Sequence, residues 1–272
     1  MMVRFVASML FLGAVAALTG CAIPVAAPPP EATRPVMSYD APVAVLRQQM
    51  AREVPAEISP SPGDDGGWIA HTRAVLAASP YRISVPQLVV AVDRNPAVQQ
   101  MRVIFADPAG PWQVIGGGKV STGRAGRRGF FITPVGVFAH TTAILDYRAE
   151  GTYNSNHIRG LGEKGRRVWD FGWQSAVAGW RMGGVTGTIR LLMHATDPDV
   201  LAPRLGRPDS QGCVRISAAM NVFLDRHAVL DADYLGHKAT SRAVAAVLPA
   251  NADPFPYAGT YLVVFDSSAS AP

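Results

Sequence analysis

The hydrophobic pattern of the chain changes near residue 87. Before that point, apolar side chains recur at helical spacing, at Val43, Leu46, Met50, Trp68, Val75 and Leu76. The spacing predicts two short helices, and Pro80 ends the second because proline cannot continue a helix.

After residue 87 the pattern changes to short apolar runs separated by Gly, Pro, Asn and Asp. These runs cover residues 87–93, 101–107, 112–121, 128–140, 142–148, 166–174, 186–194 and 260–268. Many short strands with turn residues between them predict a mainly β fold, a sandwich or a barrel-like domain, with a few peripheral helices. One such helix should begin after Ser217, a favourable N-cap residue.

The N-terminus has the pattern of an export signal. Arg4 precedes a short apolar run at 5–17, and the sequence LTGC ends at Cys21. The run is too short for a spanning helix, and the small residues before Cys21 resemble the lipobox of bacterial lipoproteins. A plain secretory signal with a chance cysteine is the alternative. We therefore expect a signal peptide at 1–20 and lipidation of Cys21.

The remaining chain divides by composition. Residues 21–36 form a tether rich in Pro and Ala, residues 37–86 a helical segment, and residues 87–272 the β-rich domain. The chain carries 25 Lys and Arg against 20 Asp and Glu, with the densest cluster at 124–128. Scattered arginines without a basic helix argue against nucleic acid as a partner. They suit an anionic cell envelope, meaning wall polymers or lipid headgroups.

Cys213 is the candidate nucleophile. It is one of two cysteines, and if Cys21 carries lipid, Cys213 has no disulfide partner in the chain. Arg215 favours the thiolate, and Gly212 permits an unusual backbone conformation. The backbone N–H groups of Gly212 and Cys213 could serve an oxyanion. A buried structural cysteine is the alternative, against which the polar flanking residues argue.

A cysteine nucleophile needs a base, and His194 is the leading candidate. It ends the apolar run 186–194, where a strand end would bring it to the rim of a sheet. A zinc site formed by His140, His157, His194 and Cys213 is the weaker alternative, because no two of them have metal-motif spacing. His140 and His157 remain the alternative bases.

The segment 194–216, HATDPDVLAPRLGRPDSQGCVRI, resembles the signature of the L,D-transpeptidase catalytic-domain family, also called the YkuD domain. That signature is a histidine, some fifteen residues, Ser/Thr-His-Gly-Cys, an apolar residue, and Arg or Asn. Residues 133–138, TPVGVF, resemble the family's second marker. Gln211 stands where the family usually has histidine, and Ala195 where it usually has glycine.

The resemblance implies a β-rich domain, with the cysteine in a groove partly covered by a flap, that acts on peptidoglycan stem peptides. Cys213 would attack the stem peptide, and His194 would take the thiol proton. Ser210 would position the loop or contact substrate, and Arg215 would pair with a substrate carboxylate or brace the loop. The family's chemistry requires no metal or organic cofactor.

Three functions are consistent with these residues. The first is a lipid-anchored L,D-transpeptidase facing the periplasm, more naturally on the outer membrane than on the inner one. The second keeps the site but uses water as acceptor, giving an L,D-carboxypeptidase or an enzyme that detaches wall-linked proteins. The third is a non-catalytic lipoprotein that binds the wall.

An aromatic run lies between the two markers. Trp169, Phe171 and Trp173 alternate in sequence and should share one face of a strand. A stripe that faces the core is the favoured interpretation, and a wall that lines the substrate groove is the alternative. Residues 139–187 are long enough to contain the flap.

Overall fold

The structure is a computed structural model that describes residues 38–269. The predicted signal peptide, Cys21 and the whole tether lie outside the described residues. Both predicted N-terminal helices are present, α1 at Asp40–Glu53 and α2 at Pro62–Ala77. Helix α1 buries Val43, Leu46 and Met50, the apolar positions from which it was predicted.

The strands form two sheets. The first has the order β3-β2-β1-β9-β4 and is antiparallel except for the parallel pair β1–β9. Its strands are β1 Gln87–Asp93, β2 Gln100–Ala106, β3 Gln113–Lys119, β4 Gly136–Ala139 and β9 Tyr261–Phe265. The C-terminal strand therefore lies inside this sheet, between β1 and β4.

The second sheet has the order β5-β6-β7-β8, and its β7–β8 pair is parallel. Its strands are β5 Tyr147–Arg148, β6 Arg167–Val177, β7 Thr186–Ala195 and β8 Val214–Ile216. The remaining helices are α3 Ala218–Arg226, α4 Ala232–His237 and α5 Arg242–Val247. Helix α3 begins as predicted, because Ser217 Oγ accepts a hydrogen bond of 3.1 Å from the Met220 N–H.

One large core joins both sheets to α1 and α3. Alternate residues of β1, such as Leu88 and Val90, are fully buried in it with Trp169 and Leu191 of the second sheet. The fold is thus mainly β with few helices, as predicted. Among residues 38–269, no helix has both the length and the apolar character that crossing a bilayer requires.

Two predicted strands are much shorter than expected. Of 128–140 only Gly136–Ala139 is a strand, and of 142–148 only Tyr147–Arg148. The N–H of Phe131 donates to Gln211 O at 3.2 Å and that of Ile132 to Val177 O at 2.9 Å. These backbone groups are therefore satisfied by the loop before β8 and by the end of β6, and not by a continuous ladder.

The aromatic stripe is also interrupted. Trp169 and Phe171 face the core as predicted, but 66% of Trp173 is exposed. The pairing of β6 with β7 shifts register between Asp170 and Trp173, where Gly172 has a φ of 75°. An irregularity of this kind breaks the alternation of faces, so Trp173 turns to solvent.

Candidate active site

The parallel pairing of β7 and β8 brings His194 and Cys213 together. His194 lies near the end of β7 opposite Arg215 of β8, and Cys213 directly precedes β8. Both side chains line a pocket of about 350 Å³. Two residues that are nineteen positions apart along the chain thus line one pocket.

The His194 ring is buried and oriented. Its Nδ1 donates to the Ala195 carbonyl oxygen at 2.7 Å, so the proton of a neutral ring is on Nδ1 and the Nε2 lone pair is free. Burial lowers the pKa of His194 to about 4, and the charge of Arg215 also lowers it. The hydrogen bond to Ala195 raises this pKa but does not outweigh them. At neutral pH the ring is therefore a neutral base, with Nε2 as its basic atom.

The Cys213 thiol is half-buried and protonated. Burial raises its pKa, as does the charge of Asp170, while a backbone hydrogen bond at Leu192 and the charge of Arg215 act in the opposite direction. The Sγ contacts the Arg190 carbonyl oxygen at 3.8 Å. Thiol and imidazole are therefore both neutral in the free protein.

Ser210 braces the loop that carries the cysteine. Its Oγ donates to Cys213 O at 2.6 Å and accepts from the Gly212 N–H at 3.1 Å. Thr133 Oγ1 donates to Gly212 O at 2.8 Å, which ties the TPVGVF segment to the same loop. Of the two functions predicted for Ser210, the structure shows the positioning of the loop.

Gly212 is required by its conformation and by its surroundings. Its φ is 132°, and a Cβ at this position would lie 2.8 Å from Ile189 Cδ1. Two N–H groups were predicted as oxyanion donors, those of Gly212 and Cys213. The Gly212 N–H already donates to Ser210 Oγ, which leaves the Cys213 N–H as the candidate donor. The oxyanion function of the Cys213 N–H stays a prediction.

The pocket is rich in arginine. Arg215 lines it half-buried, and among residues 38–269 its guanidinium forms no ion pair. Arg127 lies over the Phe130 ring at 4.4 Å, and Arg204 pairs with Asp209 at 3.3 Å. With three arginines and Asp209 as its one described acid, the pocket favours a ligand that carries a carboxylate.

Neither of the alternative bases lines this pocket. His140 is fully buried elsewhere, with Nε2 at 2.8 Å from Asp146 and Nδ1 at 2.8 Å from the Leu230 carbonyl oxygen. His157 has a φ of 53° in an exposed loop. Of the histidines in the part of the chain that the structure describes, His194 is the one that lines the cysteine pocket.

His140, Asp146 and Asp231 come close enough to hold a cation, since their ligand atoms lie within 4.8 Å of one another. The Arg167 guanidinium already occupies this cluster, 2.8 Å from Asp146 and 3.1 Å from Asp231. Both ring nitrogens of His140 act as donors, which leaves no lone pair for a metal. The cluster is a buried ion-pair network.

Sequence reasoning missed several residues around the cysteine. Asp170 binds Arg190 Nε at 2.7 Å, and Arg190 supplies the carbonyl that Cys213 contacts. Arg127 and Phe130 line the pocket from a loop, although Phe130 lies in the segment 128–140 that the sequence predicts to be a strand. The RAGRR cluster was the available signal for this loop, because adjacent arginines and glycines are poor strand formers.

Comparison with models of protein families and with curated proteins found no match.

Proposed function

We propose that this chain is a cysteine acyltransferase of the L,D-transpeptidase type that acts on peptidoglycan stem peptides. The observation that carries the proposal is the shared pocket of Cys213 and His194, with the histidine held as a neutral base. The mainly β fold with the cysteine beside a strand end supports the resemblance of segments 133–138 and 194–216 to that family.

In the first half-reaction, Cys213 Sγ attacks the carbonyl carbon of the third stem residue while His194 Nε2 takes the thiol proton. The new oxyanion accepts a hydrogen bond from the Cys213 N–H. The tetrahedral intermediate collapses as His194 gives its proton to the departing amine of the terminal D-alanine. A thioester between Cys213 and the shortened stem remains.

In the second half-reaction, an amine of another stem or of a protein attacks the thioester carbonyl. His194 Nε2 takes a proton from the attacking nitrogen and returns it to Sγ as the thiolate leaves. The products are a new amide bond and the free thiol, so one peptide bond is exchanged for another without an external energy source.

The neutral state of the pair has a consequence for this mechanism. Because burial raises the pKa of Cys213 and lowers that of His194, an ion pair is disfavoured before substrate arrives. Proton transfer therefore accompanies the attack on the carbonyl. The Arg215 guanidinium, free of an ion pair among the described residues, would bind a substrate carboxylate and orient the stem.

The test is incubation of the purified protein with tetrapeptide muropeptides, followed by mass analysis of the products. Cross-linked dimers support transfer, shortened tripeptides without dimers indicate hydrolysis by the same acyl-enzyme, and unchanged substrate contradicts both. A carbapenem should also form a covalent adduct at Cys213. The Cys213→Ala variant is the control and should give neither product nor adduct.

We also propose that the mature chain begins at lipidated Cys21 and faces the periplasm from a membrane. The support is the LTGC sequence after a short apolar run. The intact mass of protein extracted from membranes decides this point, because an unmodified N-terminus at any other residue would contradict it.

A further inference from the structure

A second surface of interest lies at the turn between β6 and β7. The turn, residues 178–185, is joined to the loop 124–131, in which Gly126 N–H donates to Gly179 O at 2.8 Å and Phe131 pairs with Ala178. Trp180 packs edge-on against Phe131 with ring centroids 5.0 Å apart. We call these two segments together the arginine–methionine tip.

The tip exposes large apolar side chains. Met182 is 96% exposed, and Val177 and Val185, which flank the turn, are each about two-fifths exposed. Gly183 and Gly184 follow Met182, so no neighbouring side chain covers it from that direction. Apolar side chains grouped in this way on a surface indicate contact with another apolar phase.

The same tip is positively charged. Its exposed cations are Arg124, Arg127, Arg128 and Arg181. The stretches 121–135 and 174–191 contain no Asp or Glu. Arg124 reaches Asp209 at 3.5 Å, whereas Arg128 and Arg181 form no ion pair with any residue of 38–269.

We propose that the arginine–methionine tip docks onto an anionic phospholipid surface, with Met182 inserted below the headgroups and Arg128 and Arg181 on lipid phosphates. Interfacial binding needs both an apolar insert and cations beside it, and this tip combines them without an acid that would oppose binding. An anionic wall polymer would satisfy the arginines but offers no apolar phase for Met182, Val177 and Val185.

This inference is independent of the proposed catalysis but bears on where the reaction takes place. Arg127 and Phe130 belong to the tip and also line the cysteine pocket. Docking would therefore hold the rim of the pocket at the lipid surface, independently of any lipid anchor at Cys21.

The test reads out the tip itself. In a full chain that carries Cys21→Ala and Cys213→Ala, Met182→Cys provides the single site for an environment-sensitive fluorophore. Vesicles of mixed phosphatidylcholine and phosphatidylglycerol should shift the emission to the blue, and pure phosphatidylcholine should not. The same label at Val45→Cys, an exposed position on α1, is the control and should not respond.

Charge variants complete the design. Each arginine near an anionic surface contributes about 1 kcal/mol, or about fivefold, so Arg128→Gln with Arg181→Gln should weaken the response about thirtyfold. Arg52→Gln with Arg242→Gln makes the same change in net charge at two exposed positions elsewhere and should leave it unaltered. The proposal is wrong if the label at 182 fails to shift, shifts equally on neutral vesicles, or responds to purified peptidoglycan and not to lipid.

Discussion

At the scale of single residues, the site is a neutral acid–base pair and not a preformed thiolate. The Nδ1 proton of His194 is fixed by the Ala195 carbonyl, which leaves Nε2 as the basic atom. Gln211 lines the same pocket but has no group that titrates near neutral pH, so it can only donate or accept hydrogen bonds.

His194→Ala should therefore nearly abolish acylation by a carbapenem, with a loss of about a hundred- to ten-thousandfold in rate, while circular dichroism shows the fold retained. Gln211→Ala should be much milder, because the thiol still has its base. Stopped-flow measurement of the acylation rate compares the two variants directly.

The pH dependence of the acylation rate tests the same assignment of the base. Since burial lowers the pKa of His194 to about 4, the base stays neutral down to that pH, and the acid limb of the acylation rate should lie near pH 4. An acid limb near pH 6.5 would show that burial does not lower the pKa of His194, and a Gln211→Ala variant as slow as His194→Ala would show that His194 is not the base.

Sequence alone could select Cys213 and His194 as candidates, because their residue types suit a nucleophile and its base. It could not show that Gly212 N–H donates to Ser210, or that Asp170 fixes Arg190 beside the thiol. Those contacts join positions far apart in the chain, and no local pattern encodes them.

At the scale of elements, helix α1 is part of the core and not an appendage to it. Val43, Leu46 and Met50 are fully buried in the cluster that also contains residues of both sheets. A Cβ on Gly116 of β3 would lie 2.6 Å from Met50 Sδ, which shows how closely the helix approaches the first sheet.

Leu46→Ala should lower the free energy of unfolding by about 2–5 kcal/mol, because it removes fully buried methyl groups and leaves a cavity. Val45→Ala, its neighbour on the exposed side of the same helix, should change stability by no more than about 0.5 kcal/mol. Urea denaturation of both variants measures the difference. Equal effects would mean that α1 does not contribute to the core as described.

The elements that sequence predicted well have apolar residues at helical spacing, as in α1, or an unbroken apolar run, as in β1. The strand β8, only Val214–Ile216, is too short for a period to show, and it was missed. The segment 128–140 is apolar enough to predict one long strand, but only Gly136–Ala139 pairs in a sheet, and the N–H groups of Phe131 and Ile132 bond to Gln211 and Val177 instead. For β8 and for the segment 128–140 alike, contacts with distant parts of the chain determine the backbone structure.

At the scale of the whole molecule, a buried ion-pair network joins elements from distant parts of the chain. Arg167 of β6 contacts Asp146 beside β5, Asp225 of α3 and Asp231 just before α4. His140, after β4, bonds Asp146 and stacks on Tyr234 with ring centroids 4.6 Å apart. The sequence assigned none of this, because each member taken alone is an ordinary polar residue.

The network makes stability depend on pH in a definite direction. Burial alone would lower the pKa of His140, but the hydrogen bond to Asp146 and the charges of Asp146 and Asp231 outweigh it and raise that pKa. The stabilisation from charged His140 is therefore complete below its unfolded pKa of about 6.5 and is lost as pH rises through the higher folded value. The raised pKa of Asp231 acts in the same direction.

The acid side has the opposite sign. Burial would raise the pKa of Asp146, but its bonds to His140 and the charge of Arg167 lower it below 3.8. Its contribution is present above that value and is lost as pH falls through the lower folded pKa. The two contributions together should give a stability maximum between about pH 4 and about pH 6.5.

His140→Gln should therefore flatten the alkaline fall in stability. In the unaltered protein, the urea midpoint should decrease as pH rises above about 6.5, whereas in the variant the midpoint should start lower and change less, since glutamine cannot lose a proton there. His237→Gln is the matched control, because it removes a half-exposed histidine that does not contact Arg167, Asp146 or Asp231. Parallel profiles for His140→Gln and the unaltered protein would mean that His140 is not charged in the fold, and both ring hydrogen bonds would then need another assignment.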